Sequence, residues 1–156
     1  VKGRINGLEK NPANLIPVVM EALTGKRSEV LVFGNDYDTP DGTGVRDYIH
    51  VVDLAKAHVI AVERMLEDKS DEKIEIFNLG TGNGMSVLGL IDAFEKATGV
   101  KVPHKIAPRR AGDIEKVWAD PSYANNVLGW KADTPIEETM RNAWAWQCRL
   151  RERGIM

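Results

Sequence analysis

Asp41-Gly42-Thr43-Gly44-Val45-Arg46-Asp47-Tyr48-Ile49-His50-Val51-Val52-Asp53-Leu54 is the stretch from which the rest of the chain can be read. It begins as a glycine-rich turn, where residues without a Cβ take positive φ and let another group approach the backbone. It continues as an extended run whose side chains alternate between two faces. Arg46, Tyr48 and His50 share one face, and Val45, Asp47, Ile49 and Val51 share the other. Asp53 stands in an N-cap position, so a helix is expected from Leu54 onward. A cation, a phenol and an imidazole beside a flexible turn fit a site for a polar, anionic ligand. A half-exposed strand with a polar face fits the same residues, and this stretch alone leaves both readings open.

The chain's 156 residues suit one domain with a real core, and its 43% hydrophobic and 28% charged content is that of a soluble globular protein. A formal net charge of −2 argues against a general nucleic-acid binder, because phosphate backbones reward a basic excess. Arg46 and the pair Arg109-Arg110 are too few for a long polyanion and enough for one small one. The single cysteine, Cys148, excludes an intrachain disulfide framework and points to a reducing, cytoplasmic setting. No apolar run approaches the ~20 residues that a membrane-spanning helix needs, so no membrane partner is expected. Val1-Lys2-Gly3-Arg4-Ile5-Asn6-Gly7 holds no signal-peptide core and no initiator methionine, and the chain reads as a piece of something longer.

Residues 1–13 read as a loop. Asn14 caps a helix that carries Leu15, Ile16 and Pro17 in its first turn, and Gly25 ends it. Glu29–Phe33 is a short buried strand, and 34–44 is a loop rich in Asp, Gly and Pro. The helix expected over 54–66 is apolar around most of its circumference and therefore needs cover on more than one side. Ile74–Leu79 alternates like a strand, and Ser86 caps a helix that ends at Gly99. Val102–Pro108 is a short strand whose prolines place it at an edge. Asp120-Pro121-Ser122 opens a helix closed by Gly129, and Thr134-Pro135-Ile136-Glu137 reads as a capping box for the last one. The order α, β, β, α, β, α, β, α, α is mixed α/β, with too few consecutive strand–helix units for a large doubly wound sheet.

Gly80-Thr81-Gly82-Asn83-Gly84 follows a strand and opens a helix, but Met85 occupies the place of the third fingerprint glycine. No acidic residue lies about 20 residues on to hold a ribose. A tight turn is the better account. Pro108-Arg109-Arg110-Ala111-Gly112-Asp113 is sharper: arginine forks match phosphate oxygens, and a nearby carboxylate accepts from ribose hydroxyls. A surface salt-bridge cluster is the plain alternative; with Arg46 added, a nucleoside diphosphate is the expected ligand. His50, His58 and His104 have no metal-ligand spacing, and no serine sits in a nucleophile elbow. These residues supply a polyanion-binding surface, no metal set and no catalytic machinery.

Three stretches occur in order: 11–17 (Asn-Pro-Ala-Asn-Leu-Ile-Pro), 32–37 (Val-Phe-Gly-Asn-Asp-Tyr) and the 41–54 stretch quoted above. Asn78-Leu79-Gly80-Thr81-Gly82, Pro108-Arg109-Arg110-Ala111-Gly112-Asp113 and Trp118-Ala119-Asp120 follow. Together they resemble the C-terminal half of the UDP-glucose 4-epimerases, a family of extended short-chain dehydrogenases/reductases. The resemblance covers nearly the whole chain from Asn11 on. It implies one fragment, 1–156, forming a UDP-sugar-binding domain, with about 54–79 packing on an absent Rossmann domain as its last helix and strand.

The resemblance also implies site roles. Asn14 would contact the diphosphate–ribose region, Leu31, Val32 and Phe33 would border the uracil, and Arg46 and Arg110 would clamp the diphosphate. Asp113 would hold the ribose, Tyr48 would lie beside the nucleotide, and Val117 would stand at the sugar pocket where many bacterial relatives carry tyrosine. The implied activity is interconversion of UDP-galactose and UDP-glucose through a 4-keto intermediate with NAD, in a parent expected to be a homodimer. The NAD fingerprint and the Tyr-x-x-x-Lys pair belong to the absent half: four residues after Tyr37, Tyr48 and Tyr123 stand Asp41, Val52 and Val127. The fragment itself is therefore expected to be inactive and to depend on that half. A non-catalytic UDP-sugar-binding module, or another nucleotide-sugar enzyme of the superfamily, is the alternative.

Overall fold

The computed structural model describes residues 11–155, so most of the loop expected over 1–13 lies outside the described residues. The elements run α1 (Leu15–Leu23), β1 (Val30–Phe33), β2 (Val45–Arg46), α2 (Val51–Leu66), β3 (Met85–Ser86), α3 (Val87–Thr98), β4 (His104–Ala107), α4 (Ser122–Leu128) and α5 (Ile136–Glu152). The architecture is α/β, and the described residues form two compact units. The first comprises 11–44, Ser86–Glu115 and 135–155; the second comprises Val45–Met85 and Lys116–Thr134. The 41–54 stretch crosses from one to the other at Gly44-Val45.

In the first unit β1 pairs in parallel with β4, Val30 opposite His104 and Phe33 opposite Ala107. The alternation of β1 sends Val30 and Val32 inward and Leu31 outward. His104, Lys105 and Ile106 are exposed, as the flanking prolines require of an edge strand. The core gathers Val19 and Met20 of α1, Leu90, Ile91 and Phe94 of α3 and Met140 and Leu150 of α5. Each such fully buried side chain contributes roughly 1.5–3 kcal/mol. Phe94 meets Trp144 edge-on at 6.1 Å between ring centroids, the arrangement that the ring quadrupoles favour.

The start of α3 shows why the 39–44 turn has its sequence. A helix leaves its first four backbone N–H groups without partners, and here those of Val87, Leu88 and Gly89 find them. The Val87 N–H donates to the Gly44 carbonyl, that of Leu88 to Thr43 Oγ1, and that of Gly89 to Ser86 Oγ. Asp41 organises the donors: it accepts from the Thr43 backbone and hydroxyl, at 2.9 and 2.7 Å, and from the Ser86 hydroxyl. Burial alone would push the Asp41 carboxyl up, but the bonds from Ser86, Thr43 and the Gly89 N–H hold it below its ordinary value.

The second unit has its own core of Ala57, Ala124 and Trp130, packed round by Ile49, Ile60, Phe77, Leu79 and Leu128. Phe77 stacks on Tyr123 at 5.1 Å. Two aspartates from the opening stretch hold its segments together. Asp47 accepts from the Thr81 N–H and hydroxyl and from the Ala119 N–H. Asp53 is 0% exposed and accepts from the Thr134 N–H at 3.0 Å and from Lys56 at 3.1 Å. Its carbonyl accepts from the Trp130 indole at 2.8 Å.

Four expectations need correction. Strand pairing stops at Arg46, and α2 begins at Val51 rather than Leu54, because the His50 ring accepts from the Val52 N–H and takes the capping place assigned to Asp53. The capping box at α5 does not form: Pro135 is the N-cap, and the Thr134 N–H is engaged by Asp53. Asn14 is the N-cap of α1 by position, but its side chain makes no capping bond. Ile74–Leu79 keeps its alternation, Phe77 and Leu79 inward with Ile74 and Ile76 79% and 80% exposed, yet it pairs with no strand among the described residues. Val59, Val62, Met65 and Leu66 of α2 stand exposed. Among the described residues no helix is long and apolar enough to cross a membrane.

Candidate functional site

In the first unit the two strands end together, the Gly34 N–H donating to the Ala107 carbonyl. Beyond that bond the chains part, one into the 34–44 loop and the other into Pro108–Asp113. Phe33, the last residue of β1, lies under Arg110, whose guanidinium carbon is 4.5 Å from the ring centroid. Arg110 in turn forks onto Asp113 at 3.0 and 3.2 Å. A flat cation on an aromatic face, with a carboxylate at its edge, brings an apolar surface, a charged fork and a hydrogen-bond acceptor into one short strip. Leu31 is 40% exposed on the outward face of β1. Val32 differs. It is 1% exposed, so its side chain belongs to the core and only its main chain can face a ligand. Asn14 is exposed at the start of α1, with a carboxamide not occupied in capping.

Arg109 does not join Arg110. Consecutive residues of an extended segment point to opposite sides, and Arg109 turns back onto the loop after β1. Its fork takes Asp36 Oδ1 at 2.7 Å and the Asp36 carbonyl at 2.6 Å, and its guanidinium lies 3.9 Å from the centre of the Tyr37 ring. The hydrogen bond from Arg109 holds the Asp36 carboxyl below its ordinary value. The arginine pair therefore divides, one member spent on the fold and one presented outward.

In the second unit Arg46 and Val117 are drawn together by one carbonyl. The oxygen of Val45 accepts from Arg46 Nη1 at 2.8 Å and from the Val117 N–H at 3.1 Å, beside the parallel bridge between Val45 and Lys116. Burial pushes the Tyr48 phenol up to about 12, against the opposing pull of Arg46. Tyr48 is thus a neutral hydroxyl near pH 7, able to donate a hydrogen bond and unsuited to act as a base. Val117 is 45% exposed. Sequence reasoning missed Asp47 as the tie between these segments, because an aspartate on the apolar face of an assumed strand carries no signal of its partners.

The glycine loop 80–84 does not fit a dinucleotide. A Cβ on Gly80 would stand 2.3 Å from Asp47 Oδ2 and 2.6 Å from the Ala119 Cβ. A Cβ on Gly84 would stand 2.4 Å from Val45 and 2.8 Å from Trp118. These glycines are required by the protein's own packing, which leaves no cradle for a pyrophosphate. Among the described residues this glycine loop offers no seat for the NAD that the resemblance implies.

The sequence matches the family described as GDP-mannose 4,6 dehydratase over residues 3–143. The UDP-glucose 4-epimerase of Bifidobacterium longum is 52% identical over 138 residues, which cover 88% of this chain and 39% of that protein. A crystal structure of UDP-glucose 4-epimerase from Stenotrophomonas maltophila, with bound NAD and formylated UDP-arabinopyranose, has a TM-score of 0.88 at 47% identity over 95% of this chain and 43% of that one. The crystal structure of the Bifidobacterium longum enzyme with NAD+ and UDP gives 0.86 at 49% identity, over 94% and 43%. The chain spans only 39% of the length of curated relatives that it matches at about 50% identity. It belongs to the GDP-mannose 4,6 dehydratase family of extended short-chain dehydrogenases/reductases, and corresponds to the C-terminal half of that family's UDP-glucose 4-epimerases.

Proposed function

We propose that the chain is the UDP-sugar-holding part of an NAD-dependent UDP-glucose 4-epimerase that interconverts UDP-galactose and UDP-glucose. The observation that carries this reading is the stack of Arg110 on Phe33 with Asp113 at its edge. It supplies an aromatic platform for uracil, a fork for a diphosphate and an acceptor for ribose hydroxyls, in a chain about half identical to named 4-epimerases. Of the second unit's residues, Arg46 offers a cation to a diphosphate and Tyr48 a neutral hydroxyl. Asn14, Leu31, the main chain of Val32 and Val117 complete the substrate-binding set.

The reading also accounts for the bare apolar face of the second unit. Val59, Val62, Met65 and Leu66 of α2, with Ile74 and Ile76, form the surface on which the rest of the enzyme packs, and 54–79 is the part of this chain given over to that contact. The parent is then a cytoplasmic homodimer whose remaining half supplies NAD and the proton-transferring tyrosine. Anchoring UDP holds the hexose at the reacting centre through binding energy remote from it.

Calorimetry with UDP and an epimerase assay together test the proposal. The chain is expected to bind UDP and to form no UDP-glucose from UDP-galactose with NAD+ added. Turnover by the chain alone, or no uptake of UDP, overturns it. At Val117, a small side chain leaves room beside the sugar for an N-acetyl group. In the full-length enzyme, Val117→Tyr is expected to cost roughly tenfold or more in kcat/KM for UDP-N-acetylglucosamine while sparing UDP-galactose. Equal failure of wild type and variant on the N-acetylated substrate counts against this.

A further inference from the structure

We propose that Arg109 is a positioning residue for nucleotide binding: with Asp36 and Tyr37 it straps the strip that carries Arg110 and Asp113 to the loop that follows β1. The inference rests on the nucleotide reading of Arg110, Phe33 and Asp113 given above. The strip lies beyond the last ladder bond, that of Gly34 to Ala107, and within it a long backbone bond runs from the Asp113 N–H to the Arg110 carbonyl at 3.3 Å. It is fastened at both ends instead. At one end Arg109 grips Asp36 through both its carboxylate and its carbonyl and sits over the Tyr37 ring. At the other, Glu115 accepts from the Asp38 N–H at 3.1 Å. Arg110 and Asp113 are held between these two points.

The strap is closely built. Gly34, at φ 82°, passes beneath it, and a Cβ there would come within 2.6 Å of the Tyr37 ring and 2.8 Å of Arg109 Cγ. Tyr37 is itself 6% exposed, so the surface on which Arg109 lies is fixed. Arg109 and Asp36 have side chains 45% and 71% exposed, and an ion pair so placed adds little to global stability. Its value lies in ordering the strip before a ligand arrives, which spares that cost at binding.

The sign of a charge change separates positioning from direct attraction. Removing the negative charge of Asp36 would, by Coulomb's law alone, tighten the binding of an anion; a positioning role predicts weaker binding. UDP titrated by calorimetry into the 156-residue chain and its Asp36→Asn, Arg109→Lys and Arg109→Gln/Asp36→Asn variants reads this directly. Each single variant is expected to weaken UDP by about three- to tenfold, with the double variant no worse than the weaker single one and melting temperatures within a few degrees of wild type. Arg109→Lys keeps the charge and loses the fork, so it is expected to fail as well. Unchanged or tighter binding by Asp36→Asn, or full affinity in Arg109→Lys, overturns the inference while leaving the nucleotide reading intact. No UDP binding by the wild-type chain overturns both.

Discussion

Replacing Asp53 with alanine is expected to destabilise the second unit by roughly 2–4 kcal/mol. The carboxylate is fully buried and is the acceptor for the Thr134 N–H, which arrives from the far end of the unit. Alanine leaves that N–H without its partner, at a cost of about 1–3 kcal/mol. It also removes the mate of Lys56, whose side chain is 54% exposed and whose share is correspondingly small. Asparagine is expected to cost less, since one oxygen still accepts from Thr134. The effect depends on pH in a defined direction. Burial would push the Asp53 carboxyl up, but the Thr134 bonds and Lys56 outweigh it and hold the group below its ordinary value. A carboxyl depressed in the folded state adds stability above its unfolded pKa, near ~3.9, and loses it as pH falls through the folded value. The gap between wild type and Asp53→Ala in urea unfolding should therefore be full at pH 7 and narrow in acid. Equal midpoints for the two proteins at pH 7 would dispose of this role.

Arg110→Ala carries the largest expected effect on binding. A charge-assisted hydrogen bond to phosphate is worth about 1.5–3 kcal/mol, which is roughly 10- to 150-fold in dissociation constant. Truncation also removes one partner of Asp113 and leaves its carboxylate, 22% exposed, less neutralised beside an incoming anion. Arg110→Lys should restore little, because a flexible ammonium neither forks nor lies flat on Phe33. Thermal stability should hardly move, since the Arg110 side chain is 55% exposed and its ion pair is of the weak surface kind. UDP affinity retained within about threefold by Arg110→Ala would remove this residue from the diphosphate.

Much of this arrangement is legible in the amino-acid sequence. Ser86 capping α3, Gly99 and Gly129 ending α3 and α4, and the inward Val30 and Val32 follow from local rules that no tertiary contact overrides. Arg110 and Asp113 are close in sequence, so their pairing was legible too. Choices between competing local partners were not. His50 and Asp53 both suit an N-cap, and only the Thr134 N–H, 81 residues away, draws Asp53 inward and leaves the cap to His50. The same bond removes Thr134 from the box expected at α5. Ile74–Leu79 showed which side chains face inward, but alternation says nothing of whether a neighbouring strand exists. Arg109 and Arg110 look equivalent in sequence; which one reaches Asp36 depends on where the 34–44 loop returns.

Asp47 has a bearing on how the chain is made as well as on how it stands. Its carboxylate holds Thr81 and Ala119, 34 and 72 residues downstream. Residues 45–85 therefore leave the ribosome well before 116–134, the segment that supplies Ala124 and Trp130 to their core. Such distant pairings make closure slow, and apolar surface stays open meanwhile. The second unit cannot mature in the order of synthesis. It must wait, half-made, while residues 86–115 of the first are translated.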